Sequence, residues 1–187
     1  MVGARLVALL RGINVGTAKR VAMADLRSLV EELGYSDAVT LLNSGNVVFS
    51  AGKADVREAA ARIEKGLRQK LGVSARVIAL SASELDAVVR RNPLLKLADN
   101  PSRLLVGIAE NAEDLSRLGP VVEKDWGKEK LAPGTAGAAR AVYMWVPEGV
   151  IASKLSAAVN KALGEGATFR NWATMLKLNE MARPQDR

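Results

Sequence analysis

The stretch "RLVALLRGINVGTAKRVAMADL", Arg5 to Leu26, decides how this chain is read. Residues 4–10, "ARLVALL", apolar apart from Arg5, have the pattern of a buried strand. It stops abruptly at Arg11-Gly12-Ile13-Asn14-Val15-Gly16. Lys19 and Arg20 follow, and a helical period begins at Met23. A strand that opens into a loop with two glycines, an Arg and an Asn either turns tightly or brings backbone close to a ligand.

Working outward, Met23, Leu26, Val30 and Leu33 recur at helical spacing, with Gly34 placed as the stop. Residues 38–43 and 46–50 read as two short strands joined through Ser44-Gly45, a hairpin in which Gly45 supplies the positive φ. Asp55 caps the next helix, whose apolar stripe is Val56, Ala60, Ile63, Leu67 and Leu71, with Arg57, Arg62, Lys65 and Arg68 on its solvated side. Residues 73–80 return as a strand. The order strand, helix, strand, strand, helix, strand is that of a split βαβ, or ferredoxin-like, unit.

A short helix capped by Ser81 or Ser83 runs to Asn92-Pro93, and "LLKLADNPS" reads as a connector. The pattern then begins again. A strand over 103–109, a helix over 112–119, the charged stretch "EKDWGKEKLAPG", a strand over 138–146, and helices over 153–163 and 171–182 approximate βαββα with a C-terminal helix. The expected class is α+β, two ferredoxin-like units in tandem. The expected divisions are 1–81 for the first unit, 82–102 for a helical connector and 103–187 for the second unit. The tail "RPQDR" is expected to fray.

Composition narrows the chemistry. With 187 residues, 49% apolar and only 4% aromatic, the chain can bury a core built from Leu, Val, Ile and Ala. No apolar run approaches the roughly 20 residues of a spanning helix, and the N-terminus has no signal-peptide pattern, so a soluble cytoplasmic protein without membrane partners is expected. There is no Cys and no His. That removes disulfides, thiolate nucleophiles, His-dependent triads and the usual zinc ligands. The carboxylates show no EF-hand or paired spacing, so neither a metal nor another cofactor is expected. The net charge of +7 points to an anionic partner, nucleic acid first among them. No dense Lys/Arg block is present, so an ordinary cationic surface is the competing reading.

Three places carry candidate binding residues. In the first loop, Gly12 and Gly16 permit close backbone approach, Arg11 offers a donor fork for phosphate or carboxylate, and Asn14 offers its amide. The competing role is structural, with Arg11 and Asn14 bonding loop carbonyls. In "VPEGVIASKLSAAV", Ser153 caps a helix whose first turn carries Lys154. That combines free amides with a cation, although a plain N-cap accounts for Ser153 equally. In "TFRNWATMLKL", Asn171 caps the last helix, Thr174 and Lys177 share a face, and Arg170 sits beside Trp172, which is also a natural core anchor.

The segments "LLRGINVG", "SGNVVF", "PEGVIASKL" and "RNWATMLKL" resemble a bacterial family known as domain of unknown function 1697, in order and over nearly the whole chain. The resemblance implies a two-part α+β fold with ferredoxin-like units and brings no established reaction. Its motif positions correspond here to Arg11, Gly12, Asn14 and Gly16, to Ser44, Gly45 and Asn46, to Ser153 and Lys154, and to Arg170, Asn171, Trp172, Thr174 and Lys177. The chain departs at Thr17 and Ala22, where the family often has Gly and Pro, which bears on how the loop bends.

Three functional readings follow. The first is a non-catalytic binder of a phosphate-bearing ligand, either nucleic acid or a phosphorylated small molecule, drawing on Arg11, Lys19, Arg20, Arg170 and Lys177. The second is an enzyme on a small anionic substrate, with Arg11 and Lys154 or Lys177 as electrostatic groups and no general base to name. The third is a protein-interaction module in which these polar residues are scaffolding.

Overall fold

The computed structural model describes residues 4–16 and 19–183, so Thr17 and the tail beyond Arg183 lie outside the described residues. Among them are two four-stranded antiparallel sheets. The chain divides into two compact units, Met1–Leu85 together with Leu178–Arg187, and Asp86–Lys177. The division at Leu85/Asp86 falls inside the segment 82–102. The end of the last helix is grouped with the first unit, where the Arg5 guanidinium donates to the Met181 carbonyl at 3.1 Å.

The first unit runs β1 (Arg5–Leu10), α1 (Met23–Glu32), β2 (Ser36–Leu41), β3 (Asn46–Ser50), α2 (Val56–Leu71) and β4 (Val77–Ser81). Its sheet order is β2-β3-β1-β4. Both β1 and β2 are antiparallel to β3, so they run parallel to each other with β3 between them, the arrangement of a split βαβ unit. Leu6, Ala8 and Leu10 alternate onto one face of β1. They share a core with Leu26, Leu29 and Val30 of α1 and Ala59, Ile63 and Leu67 of α2, so both helices cover the same face. Val7 and Leu9, on the other face, are also fully buried, which is why the run shows no polar alternation. α2 is started by Asp55, whose carboxylate accepts from the Glu58 N–H at 2.8 Å, and ended by Gly72 at φ 66°.

This topology sends three connections to one end of the unit. β1 and β2 finish there, α1 begins, β3 and β4 start, and α2 ends. The described residues 11–16 and 19–22 therefore converge with segments 42–45 and 72–76. The Leu10 N–H donates to the Gly45 carbonyl and the Arg11 N–H to the Arg76 carbonyl, each at 2.8 Å.

In the second unit, α3 (Ala82–Arg90) leads to β5 (Leu104–Ala109), a 3-10 turn (Ala112–Leu118) that runs into α4 (Gly119–Val122), β6 (Lys130–Pro133), β7 (Ala141–Trp145), α5 (Lys154–Leu163), β8 (Ala167–Asn171) and α6 (Trp172–Ala182). The sheet order is β6-β7-β5-β8, the same arrangement as in the first unit. The expected order, approximated as βαββα, names two strands in this half where the sheet has four, so β6 and β8 are additions. β6 lies in the charged stretch, where a half-exposed edge strand tolerates its final Pro133. β8 has no counterpart among the strands expected from the sequence; its polar Thr168 and Arg170 are buried. Leu155, Val159 and Leu163 of α5 pack on Leu105, Val142 and Met144. No helix among the described residues is long and apolar enough to cross a membrane.

Gly45 adopts φ 78°, as a hairpin glycine must. A Cβ there would lie 2.6 Å from Ile13 Cδ1 and 2.8 Å from Leu10 Cβ, closer than real contacts allow. Gly52 adopts φ 61° with nothing within 4 Å of its Cβ position. Gly45→Ala is therefore expected to cost about 2–4 kcal/mol and Gly52→Ala about 1 kcal/mol, since only the first adds a steric clash to backbone strain. Denaturant melts of the two variants check this. Equal losses would show that the hairpin does not press on Ile13 and Leu10.

Candidate functional site

The loop after β1 is shaped from inside by Asn14. Its Nδ2 donates to the Val21 and Asn43 carbonyls, both at 2.8 Å, and its Oδ1 accepts from the Val21 N–H at 2.9 Å. One side chain thus closes the loop on itself and ties it to the β2–β3 hairpin. The Asn14 N–H adds a bond to the Lys19 carbonyl at 3.0 Å. Ile13 is buried beneath the hairpin. Asn14 acts in the structure as a brace, the role that competed with ligand binding in the sequence. Gly12 and Gly16 adopt φ 64° and 62°, are exposed, and have open space where a Cβ would be. Ala22, where a Pro was noted as usual, sits at φ −69°, a value proline also adopts.

The hairpin brings Ser44 and Asn46 to the same end. Asn46 is fully buried, and its Nδ2 donates to the Leu41 carbonyl at 2.7 Å and to Ser44 Oγ at 3.0 Å, holding the turn closed. Leu42, next to it, is held at φ 58°. Together with Asn14 at 55° and Lys19 at 51°, it places three non-glycine residues of left-handed conformation at this end. For a residue as bulky as Leu that conformation is costly and marks a site where surrounding structure overrides local preference.

The electrostatics of this end are one-sided. The three converging segments contain Arg11, Lys19, Arg20 and Arg76 and no carboxylate. Lys19, Arg20 and Arg76 are exposed and Arg11 is partly so. One Arg20 Nη donates to the Gly16 carbonyl at 2.6 Å, which holds that guanidinium against the glycine loop. Glu64 of α2 faces Arg76 at 3.7 Å while its other oxygen accepts from the Val77 N–H. Arg76 had gone unremarked in the sequence. Pairing of β1 with β4 sets it beside Arg11, and register, not proximity along the chain, is what reveals it.

In the second unit the candidates stand at two element junctions. Ser153 is buried and caps α5, accepting from the Ser156 N–H at 2.8 Å. The Leu155 N–H donates to a Glu129 carboxylate oxygen at 3.1 Å, so an internal carboxylate takes the place where an external anion was expected. Lys154 is exposed. At the β8–α6 junction, Asn171 Oδ1 accepts from the Thr174 N–H at 2.9 Å and from its hydroxyl at 2.8 Å, a helix cap. Trp172 is buried and Lys177 is exposed. Arg170 is buried, and its Nη1 donates to Thr168 Oγ1 at 2.9 Å and to the Phe169 carbonyl at 2.8 Å. Burial pulls its guanidinium down to about 10, which leaves it charged at neutral pH.

The tyrosines do not furnish a base. Tyr143 donates to the Val88 carbonyl at 2.8 Å, and burial pushes its phenol up to about 12. Burial also raises Tyr35, beneath the Arg62 guanidinium. Because Tyr143 holds its proton in the fold at a pH where the unfolded chain has lost it, its contribution to stability is intact below pH 10 and is lost as pH rises toward about 12. Urea melts over that range should show stability falling with pH, with a shallower fall in Tyr143→Phe. For the brace, Asn14→Ala should cost about 2–3 kcal/mol, the sum of several hydrogen bonds of ordinary net worth. A melt within error of the parent would mean that the loop closes without it.

Comparison with known proteins gives a family and a fold. No curated protein matches the chain. Among solved structures, conserved bacterial protein SP0830 from Streptococcus pneumoniae is similar with a TM-score of 0.78 and 22% identity, over 96% of this chain and 99% of that one. At that identity the likeness speaks for the fold alone. The family described as "Protein of unknown function (DUF1697)" matches residues 4–137. That span contains the glycine loop and the Ser44–Asn46 hairpin, while the Ser153 and Arg170 motifs lie beyond it. With most of its length matched, this chain belongs to the DUF1697 family.

Proposed function

We propose that the loop end of the first unit binds a phosphate-bearing partner without catalysing a reaction, and that the partner is nucleic acid. The observation that carries this reading is the convergence of Arg11, Lys19, Arg20 and Arg76 on three segments that contain no carboxylate. Like charges gathered at one end, where Glu64 beside Arg76 is a neighbouring carboxylate, repel one another in the free protein, and a polyanion relieves that repulsion. The left-handed Asn14, Lys19 and Leu42 support it, because strain of this kind concentrates at ligand sites. Exposed aromatic rings do not contribute at this end, so recognition would rest on phosphates and not on base stacking.

An enzyme acting on a small anionic substrate fits less well. With both tyrosine phenols pushed up by burial, neither serves as a base near neutral pH. A protein-interaction role would draw on the exposed Val15 and Leu42, which flank the same loops. It leaves the uniform charge unexplained.

Salt dependence tests the reading. Binding of a short fluorescent oligonucleotide should weaken linearly in log Kd against log salt. The double variant Lys19→Gln/Arg20→Gln should reduce that slope by roughly 1.5–2, near one per phosphate contact removed. Lys161→Gln, on the exposed side of α5, should leave it unchanged. Salt-independent binding, or a slope indifferent to Lys19 and Arg20, would overturn the assignment.

A further inference from the structure

The backbone of the first loop has a property that its charge does not explain. Gly12, Asn14 and Gly16 have positive φ, at 64°, 55° and 62°, while the intervening Ile13 and Val15 do not. A φ that alternates in sign along consecutive residues is compatible with the αR–αL pattern by which phosphate-binding loops aim successive N–H groups at an anion. Asn14 spends its N–H on the Lys19 carbonyl at 3.0 Å. Among the described residues, the N–H groups of Gly12, Ile13, Val15 and Gly16 find no acceptor. The loop is not loose. Three bonds from the Asn14 side chain hold it from behind, and Ile13 anchors it under the hairpin. The donors are therefore fixed before any ligand arrives, and the two exposed glycines leave the approach open.

We infer that this loop grips a terminal phosphate group, a monoester dianion, with its backbone amides while Arg11, Lys19 and Arg20 surround it. The inference rests on the anion-binding reading above and sharpens it. A terminal phosphate presents three acceptor oxygens and nearly two charges, matched to several converging donors. An internal diester offers two free oxygens and one charge, and needs a groove through which the strand can continue on both sides. Gly12 to Gly16 is a short stretch, which suits one phosphate group better than a continuing strand. The same chemistry occurs at the 5′ end of a nucleic acid and on a phosphorylated small molecule, so the test separates them.

Two measurements on the full chain decide the matter. In the first, the same oligonucleotide is compared with a 5′-phosphate and with a 5′-hydroxyl. In the second, inorganic phosphate is titrated while backbone amide resonances are followed. The phosphorylated oligonucleotide should bind roughly ten-fold more tightly, about the worth of one charge-assisted hydrogen bond. That gap should close in Lys19→Gln/Arg20→Gln, both exposed positions, with a thermal melt of the variant run beside it to show that the fold is kept. Inorganic phosphate should move the amides of Gly12, Val15 and Gly16. Equal affinity for the two oligonucleotides would overturn the inference and leave the polyanion reading standing. A gap without amide shifts would place the terminal phosphate elsewhere and overturn it as well. Amide shifts with neither oligonucleotide bound would uphold the grip and exclude nucleic acid as its source. Neither shifts nor binding would overturn both readings.

Discussion

Everything at the loop end of the first unit depends on one missing methyl group. Gly45 has no room for a Cβ, because Ile13 and Leu10 occupy the space where it would stand. The hairpin can therefore press down on the residue that follows β1, and Ile13 becomes part of the core although it belongs to a loop. Once Ile13 is fixed, the residues around it lose their freedom. Asn14 reaches Asn43 and Val21, the Arg11 N–H meets Arg76, and the flanking glycines are held outward. Burying one aliphatic side chain is worth about 1.5–3 kcal/mol, which is of the same size as the strain stored in the left-handed residues nearby.

Periodicity disclosed the first unit because each of its elements has one dominant signal. Leu6–Leu10 is apolar without alternation, α2 carries a clean stripe between an Asp cap and a Gly stop, and Ser44-Gly45 fits only a reversal. The second unit hid two strands for physical reasons. β6 is a sheet edge with little to bury, so hydrophobic pattern does not mark it. β8 buries Thr168 and Arg170, and buried polar residues look in a sequence like a solvated loop. The grouping of the chain's last residues with the first unit was equally invisible, since it rests on contacts such as Arg5 to Met181 that span almost the whole chain.

The candidate binding residues separate by the same logic. Ser, Asn and Thr satisfy helix starts and loop carbonyls with the chemistry they would use on a ligand. Ser153, Asn171 and Asn14 all have oxygens engaged by backbone N–H groups, and Glu129 adds its carboxylate at the start of α5. A sequence records the residue type but not which partner it meets. Arginines meet carbonyls too, as Arg20 does at Gly16, but a long side chain can make such a bond and still present its charge to solvent. Lys19 and Arg20 are exposed and Arg11 is partly so, which is why they keep their weight as candidates.

The two units supply an internal comparison that bears on whether the charge is incidental. They share strand order, and the backbone bonds at the corresponding ends are the same. In the first, the Leu10 N–H donates to Gly45 and the Arg11 N–H to Arg76. In the second, the Ala109 N–H donates to Arg140 and the Glu110 N–H to Gly166, also at 2.8 Å. Glu110 thus occupies the position of Arg11. Around it lie Glu165 and Asp114, the latter paired with Arg117 at 3.0 Å, while Arg140 donates to the Ala109 and Glu110 carbonyls. The same fold is therefore built with carboxylates at this end and with cations balanced locally. Nothing in the topology requires the three converging segments to carry cations and no carboxylate of their own. A uniform charge costs stability through self-repulsion, and the second unit shows that the architecture stands without it. The arrangement at Arg11, Lys19, Arg20 and Arg76 is a property of this sequence and not of the scaffold.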